Sequence, residues 1–478
     1  MSTRDEDEAI GPSNADGGRL DPSVWKICAV ALFGGLLSQL DATIVNVSLS
    51  NLSADLNTSF STIQWVTSGY LLALTLILPL NGWLVDRIGA RALYLWCFAA
   101  FTLSSTLCGL AWSAGSLIGF RVLQGISGGL LAPMAQMMVA RAAGNQMARV
   151  AGYISLPVLL APILGPVLAG AILQYASWRW LFLVNLPVGL LAFLLAVLFL
   201  PRDGPETTRR NLDWLGLALL SPGLALFLYG SERTDQSVGR SVFMAGIVMI
   251  AVFLWWARRR GDHALVDLRL FGNKVFSTAA VTQFLSNGAL FAGQMLIPAF
   301  LIQACDRAPT EMGWMLAPLG LGMMVTYPLM GTLTDRFGIR RVSAGGALLA
   351  FASTLPFLYL ALHGFDLAVL LAALFFRGMG QGAVGLPSLT AAYASVRRRD
   401  LPMATTSANI VQRLGGPTMT TLCATLLSWE LGSHGTDIAV SQAFAGGFLM
   451  LCILHALTFL AAVRLPIRLD DVASRDGA

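Results

Sequence analysis

Asp41 is the one carboxylate that the sequence places deep inside a long apolar run, in QLDATIVNVSL. A lone acid in hydrocarbon costs about 2.5–3.5 kcal/mol on insertion scales, so it should face a wet cavity or a partner. Binding a proton lowers that cost, because desolvation disfavours the charged form. A carboxyl that gains and loses a proton as its surroundings alternate is a coupling device; the other reading is a structural hydrogen bond between helices. A second run carries Arg121, Gln124, Gly125, Gly128 and Ala132 at steps of three and four, which puts a guanidinium, an amide and small residues on one helix face. An arginine there is always charged. It could pair with ionised Asp41 and be released on protonation, or act as a fixed staple. Gln283, Asn287 and Gln294 in one later run, and Thr405, Asn409 and Arg413 in another, also lie near one face. Together with Gln124 they are candidate walls of a substrate cavity, although such polar groups also serve as interhelical glue worth roughly 0.6–2 kcal/mol each. Trp65 and Tyr70 could stack on an aromatic or cationic ligand; Trp more commonly anchors a membrane interface.

Other chemistry is excluded. The chain has no nucleophile and base set, no P-loop and no clustered metal ligands, so neither an enzyme nor an ATP-driven pump is expected unless another chain supplies the ATPase. Of the six cysteines, Cys28, Cys97, Cys108, Cys423 and Cys452 fall within apolar runs and only Cys305 is near a loop, so neither disulfides nor a metal are implied.

The elements that must position these residues are membrane helices. Hydrophobic residues make up 56% of the chain and charged residues 12%, a balance that makes the bilayer the solvent. Windows of about 20 apolar residues, the length that spans hydrocarbon, occur near 24–48, 62–82, 92–112, 115–140, 150–173, 180–200, 212–230, 240–257, 276–302, 312–333, 342–362, 367–392, 403–428 and 441–463. Fourteen helical spans are expected. A β-barrel would show alternating segments of about ten residues instead. Of 31 Lys and Arg, Arg179, Arg233, Arg240 and Arg307 fall in loops opposite the N-terminus, and Arg121, Arg377 and Arg413 lie inside spans. The rest share the N-terminal side, which predicts that both termini are cytoplasmic. The net charge of +5 therefore speaks of an anionic leaflet and not of nucleic acid.

The segment GWLVDRIGAR, Gly82 to Arg91, returns 249 positions later as GTLTDRFGIR, Gly331 to Arg340. FRVLQGISGGLLAP at Phe120 recurs more loosely as FRGMGQGAVGLP at Phe376. Duplication with the functional site between the halves is the general plan of secondary transporters. Six spans and short loops would fill only about 190 residues, so two helices have been inserted. The expected division is a disordered cytoplasmic tail at 1–23, a six-helix bundle at 24–200, a linker at 201–211, an inserted pair at 212–258, a loop at 259–275, a second bundle at 276–463 and a tail at 464–478. In the fifth span, Pro157, Ala161, Gly165 and Ala169 form one helical row, with Pro162, Pro166 and Gly170 beside it. Missing backbone donors and missing side-chain bulk make this a hinge or simply a close-packed face.

These residues resemble the major facilitator superfamily, and within it the fourteen-helix drug:proton antiporter family. The resemblance covers residues 24–465. It rests, in order, on QLDATIVNVSL, GWLVDRIGAR, FRVLQGISGG, GPVLAG at Gly165, SWRWLFLVNLPVG at Ser177 and QRLGGP at Gln412. It implies the major facilitator fold of two six-helix bundles plus two inserted helices, with Asp41 as the proton-linked acid and Arg121 as the proton-relay arginine. It also implies an exporter-type hinge at Pro157, Pro162, Gly165, Pro166 and Gly170, although Ala161 and Ala169 stand where the family usually has glycine. Gly82, Asp86, Arg87, Gly89 and Arg91, with Asp335, Arg336 and Arg340, correspond to the family's cytoplasmic gate. Members that move cationic dyes often carry an acid where this chain has Ser68, so divalent organic cations fit less well than a neutral or anionic compound helped by Arg413. The expectation is a cofactor-free antiporter that exports small amphipathic molecules, as in multidrug efflux, by alternating access on the proton gradient. The alternative is a dedicated exporter or facilitator of a neutral or anionic metabolite. A vestigial sensor is disfavoured, since every loop is short and no signalling domain is attached. Some relatives of this kind work with a periplasmic adaptor and an outer-membrane channel, of which these loops carry no sign.

Overall fold

The computed structural model describes residues 22–143, 147–203, 211–233, 236–308, 311–433 and 437–467. The expected tails at 1–23 and 464–478 and the linker at 201–211 lie largely outside the described residues. The long helices are α1 (Pro22–Ile44), α2 (Phe60–Ile88), α3 (Ala90–Gly109), α4 (Ala114–Ala143), α5 (Met147–Tyr175), α6 (Trp180–Phe199), α7 (Trp214–Ser231), α8 (Ser237–Arg260), α9 (Lys274–Gln303), α10 (Met312–Phe337), α11 (Ile339–His363), α12 (Leu367–Ala394), α13 (Leu401–Ser433) and α14 (Asp437–Ala462). Twelve of them, all but α5 and α13, are long and apolar enough to cross a bilayer among the described residues. The protein is an all-helical, multi-pass membrane protein.

Duplication is visible in the packing. Within the first half α1 touches α4, α5 and α6, α2 and α3 touch α4, and α3 touches α6. In the second half the same pairings recur as α9 with α12, α13 and α14, α10 and α11 with α12, and α11 with α14. The halves meet along two seams related by the same correspondence, α2 against α13 and α10 against α5. The inserted α7 and α8 pack on each other, and α7 covers the first seam by lying on both α2 and α13. Asp213 ties the pair together: its carboxylate accepts from Gly216 N (3.0 Å), Trp256 Nε1 (3.1 Å) and Leu265 N (3.2 Å).

The geometry explains three of the letters that the two copies of the loop share. Gly82 passes against Pro402 and Met403 of α13, and Gly331 against Arg149 of α5, so the first glycine of each copy lets the two halves cross at a seam. Gly89 and Gly338 have φ of +95° and +83°, a region that L side chains avoid. They turn the chain sharply into α3 and α11. Arg91 then donates to Val197 O at the end of α6 (2.7 Å), and Arg340 to Leu465 O after α14 (2.6 Å). Each arginine therefore holds the chain at or just beyond the C-terminal end of the sixth helix of its own half. Asp203 adds two bonds in the first half, accepting from Arg91 N (2.9 Å) and Ala92 N (3.0 Å) at the start of α3. These contacts define one end of the molecule, the terminal face, where α1 begins and α14 finishes.

Small residues set the helix spacing near Arg121. A Cβ added at Gly125 would lie 2.5 Å from Tyr70 O, and one at Gly129 2.5 Å from Leu74 O. Side chains at these points would drive α2 and α4 apart. Gly129→Val is expected to cost about 1–3 kcal/mol through overpacking, seen as a lower melting midpoint of the purified protein; an unchanged midpoint would contradict this account of the α2–α4 contact.

Candidate functional site

Three residues before the end of α1, Asp41 is fully buried, as are Arg121 and Gln124 of α4. Arg121 Nη1 lies 2.5 Å from Asp41 Oδ2. The other carboxylate oxygen, Oδ1, accepts from Gln124 Nε2 (2.9 Å) and from Asn185 Nδ2 of α6 (3.0 Å). Arg121 also donates to Gln124 Oε1 (2.8 Å) and, through Nε, to Val66 O of α2 (3.1 Å). Its guanidinium rests over the Tyr70 ring at 4.0 Å, a favourable placement for a desolvated cation. Asn185 is held in turn by Ser105 Oγ (3.1 Å), which donates to Phe182 O (2.9 Å).

The carboxylate is paired with one cation and accepts from two amides. Removing one member of a buried pair leaves the other as an uncompensated charge. Arg121 Nη2 is buried without a hydrogen-bond partner among the described residues, a spare donor beside the pair.

The antiporter-type segment of α5 packs directly on this site. Thr43, two residues after Asp41, donates to Ala161 O (3.4 Å), and a side chain at Gly165 would collide with the Thr43 hydroxyl. Gly170 has open space around it. The side chains of Pro157, Pro162 and Pro166 lie outside the described residues; the α5 backbone runs through them as one helix.

The expected gate residues fall on the terminal face. Asp335 pairs with Arg149 of α5 across the second seam (2.6 Å). Asp86 is half-buried, while Arg87 and Arg336 are exposed beside Trp83 and Phe337. Asn81 donates to Thr406 Oγ1 across the first seam (3.2 Å). Between the halves, Gln136 Oε1 of α4 accepts from Asn409 Nδ2 (2.8 Å) and Tyr393 OH (3.0 Å). These cross-links close the molecule toward the terminal face.

Several expected cavity residues have other employment. Gln283 donates to Gly385 O (2.6 Å) and Ser388 Oγ (3.2 Å), and Asn287 to Gln412 O (2.6 Å), so both bind helices of the second half to one another. Gln294 is exposed. Trp65 stacks on Tyr229 of α7 (6.1 Å between ring centres, 21° between planes) and so anchors the inserted pair. Arg413 is half-buried on α13 and within electrostatic reach of Tyr70, across the divide between halves. Sequence reasoning missed Asn185, Gln136, Asn81 and Arg149. A lone amide in the apolar run MAQMMVA was a usable signal for Gln136; the others required knowing which helices touch.

The sequence profile of the Major Facilitator Superfamily matches residues 31–306 and 279–475. The chain belongs to the major facilitator superfamily. Among its relatives, a Mycobacterium tuberculosis protein named multidrug resistance protein B homolog is 35% identical over 435 residues, covering 89% of this chain and 80% of that protein. MdtD of Cronobacter sakazakii is 30% identical over 464 residues, with 94% and 95% covered. The fold matches the human organic anion transporter MFSD10 with a TM-score of 0.63 at 18% identity, over 92% of this chain and 100% of that one. It matches the proton:xylose symporter XylE with a TM-score of 0.64 at 16% identity, over 95% and 98%. In this superfamily member all six cysteines are free. Burial lifts the Cys305 thiol, just beyond α9, to about 11 against the opposing pull of Arg307, so it stays protonated and unreactive at neutral pH.

The buried pair makes a stability prediction that does not depend on transport. Asp41→Leu should destabilise the protein by about 3–5 kcal/mol by stranding Arg121, whereas Asp41→Leu with Arg121→Met should recover part of that loss. Melting of the purified variants measures the coupling; two strictly additive losses would mean that the residues do not act as a pair.

Proposed function

We propose that this chain is a proton-coupled antiporter of the inner membrane that exports small amphipathic molecules, including drugs, by alternating access. The observation that carries the reading is the fully buried Asp41–Arg121 pair on helices packed against the antiporter-type segment. The names of the relatives support multidrug export. α5 and α13, of 29 and 33 residues, reach past the 30 Å hydrocarbon core at about 1.5 Å per residue, and we count them as the thirteenth and fourteenth spans. Both termini are then on one side, which the distribution of Lys and Arg makes the cytoplasmic side.

On this reading the structure is closed to the cytoplasm, with the terminal face sealed by Arg149–Asp335, Asn81–Thr406 and Gln136–Asn409. Asp41 is ionised and paired. A proton arriving from the outer side neutralises Asp41, weakens its hold on Arg121 and releases α1 and α4 from that geometry. The halves rock, the two seams part at the cytoplasmic end, and substrate enters. Loss of the proton to the cytoplasm restores the pair and returns the substrate-loaded cavity to the outer side. The proton gradient supplies the energy, with no cofactor.

The interior holds Arg121, Arg377 and Arg413 against Asp41. That balance favours neutral or anionic substrates over divalent cations, and it is the observation behind the second reading, a dedicated exporter of an anionic or neutral metabolite. The test is accumulation of a panel of fluorescent lipophilic compounds in exporter-deficient bacteria expressing wild type or Asp41→Asn, with and without an uncoupler. Lower accumulation that both the uncoupler and the mutation abolish is the expected result. Export that continues unchanged in Asp41→Asn, with its pH dependence intact, would overturn the proton-coupling assignment, and an absence of export for every compound would favour the metabolite reading.

A further inference from the structure

Arg377 on α12 stands where Arg121 stands on α4. Both follow a phenylalanine in the repeated FR motif, both are fully buried, and both helices pack on three helices of their own half through the same set of pairings. The surroundings differ in one decisive way. Arg121 meets the carboxylate of Asp41 on α1. Arg377 meets Gly293 on α9, the helix that corresponds to α1: a Cβ built at Gly293 would fall on the Arg377 guanidinium. Asp41 and Gly293 also lie equally far along their helices, counted from Pro22 and Lys274.

The guanidinium has taken the place of a side chain that is absent. Arg377 Nη2 donates to Ala289 O (2.8 Å), its Nε is buried without a partner, and no carboxylate among the described residues lies within ion-pair distance. Two other groups of the α12–α14 region also hold an unsatisfied polar atom. Gln381 Nε2, four residues along α12, and His455 Nε2 of α14 are both buried and unpartnered. In the first half Gln124 and Asn185 donate to the carboxylate. A buried amide and a buried guanidinium left unsatisfied are each costly, which is the expected residue of an ion-pair site that has lost its acid.

We propose that the second half carries the basic frame of a second proton site, emptied of its carboxylate at residue 293, and that Asp41 is consequently the one carboxyl paired with a fully buried arginine among the described residues, carrying one proton per cycle. Residue 293 is the position that sets this number. Its link to stoichiometry rests on the reading of Asp41 as the proton carrier; its structural part does not. A carboxylate placed at 293 would need only the far end of the Arg377 side chain to move, and would then meet Arg377 as Asp41 meets Arg121. His455 borders the same guanidinium electrostatically, as do Cys423 and Cys452. None of these brings a negative charge at neutral pH, so the frame has no substitute acid among them.

The experiment counts buried carboxyls directly. Infrared pH-difference spectra of the purified protein are recorded for wild type, Asp41→Asn, Asp41→Asn with Gly293→Asp, and Asp41→Asn with Gly293→Ala. The expected results are one protonated-carboxyl band shielded from deuterium exchange in wild type, its loss in Asp41→Asn, its return with Gly293→Asp, and no return with Gly293→Ala. A shielded band that persists in Asp41→Asn overturns the single-carboxyl inference without any change at residue 293, so the outcome does not depend on the double variants folding. As a second reading, Gly293→Asp should melt above Gly293→Ala at neutral pH, since both add the Cβ and only the aspartate adds a partner for Arg377. Arg377→Gln should erase that difference; an equal difference in its presence would also overturn the pairing. Because no transport is measured, a failure here is distinct from a failure of proton-driven export, which would leave the carboxyl count standing.

Discussion

A carboxylate cannot remain ionised in the dry interior of a helical bundle unless several dipoles and a positive charge are aimed at it. Asp41 has them from two helices: the guanidinium of Arg121 and the amide of Gln124 on α4, and the amide of Asn185 on α6. Much of the first half is arranged so that these groups arrive together. Gly125 and Gly129 admit α2 close enough for Tyr70 to lie beneath Arg121, and Gly165 admits α1 so that Thr43 touches α5. Losing the bonds of this one carboxylate would therefore disturb contacts on α1, α2, α4, α5 and α6 at once.

Bias becomes motion through the seams. The two halves touch at symmetry-related places, and in both the first glycine of the repeated loop is what permits the crossing. The loop's last arginine holds the sixth helix of its own half, in both copies. Each half is thus tied to itself by the same device, while the halves are joined to each other by apolar packing and by polar contacts at the terminal face. Rigid-body rocking requires the links between halves to part while those within each half hold. The inserted pair complicates the symmetry, because α7 rests on α2 and α13 together and must let go of one when the first seam parts.

The sequence made the fold legible to the extent that chemistry contrasts with its surroundings. Apolar runs gave the helices, and an acid and a base in those runs gave the pair that the structure brings together. The repeated loop was recognisable as structural, but its meaning lay in which carbonyls Arg91 and Arg340 reach. Polar spacing was a poorer guide: Gln283 and Asn287 share a face as expected, yet both are consumed in binding α9 to α12 and α13. Trp65, expected beside a ligand, is engaged by Tyr229 of a helix pair inserted much later in the chain. Asn185 and Arg149 were hidden because an amide in a motif or an arginine at a helix start carries no mark of its partner. The emptied site at Gly293 was invisible for the same reason, since a glycine announces nothing until the guanidinium that fills its place is seen.

In the proposed cycle, protonation of Asp41 opens the terminal face. Spin labels at the exposed positions Ile88, at the end of α2, and Arg399, just before α13, straddle the first seam, and double electron–electron resonance reports the distance between them. The account predicts a short distance at alkaline pH that lengthens as the pH falls, and a long distance at every pH in Asp41→Asn. The same pH response in Asp41→Asn as in wild type would contradict it.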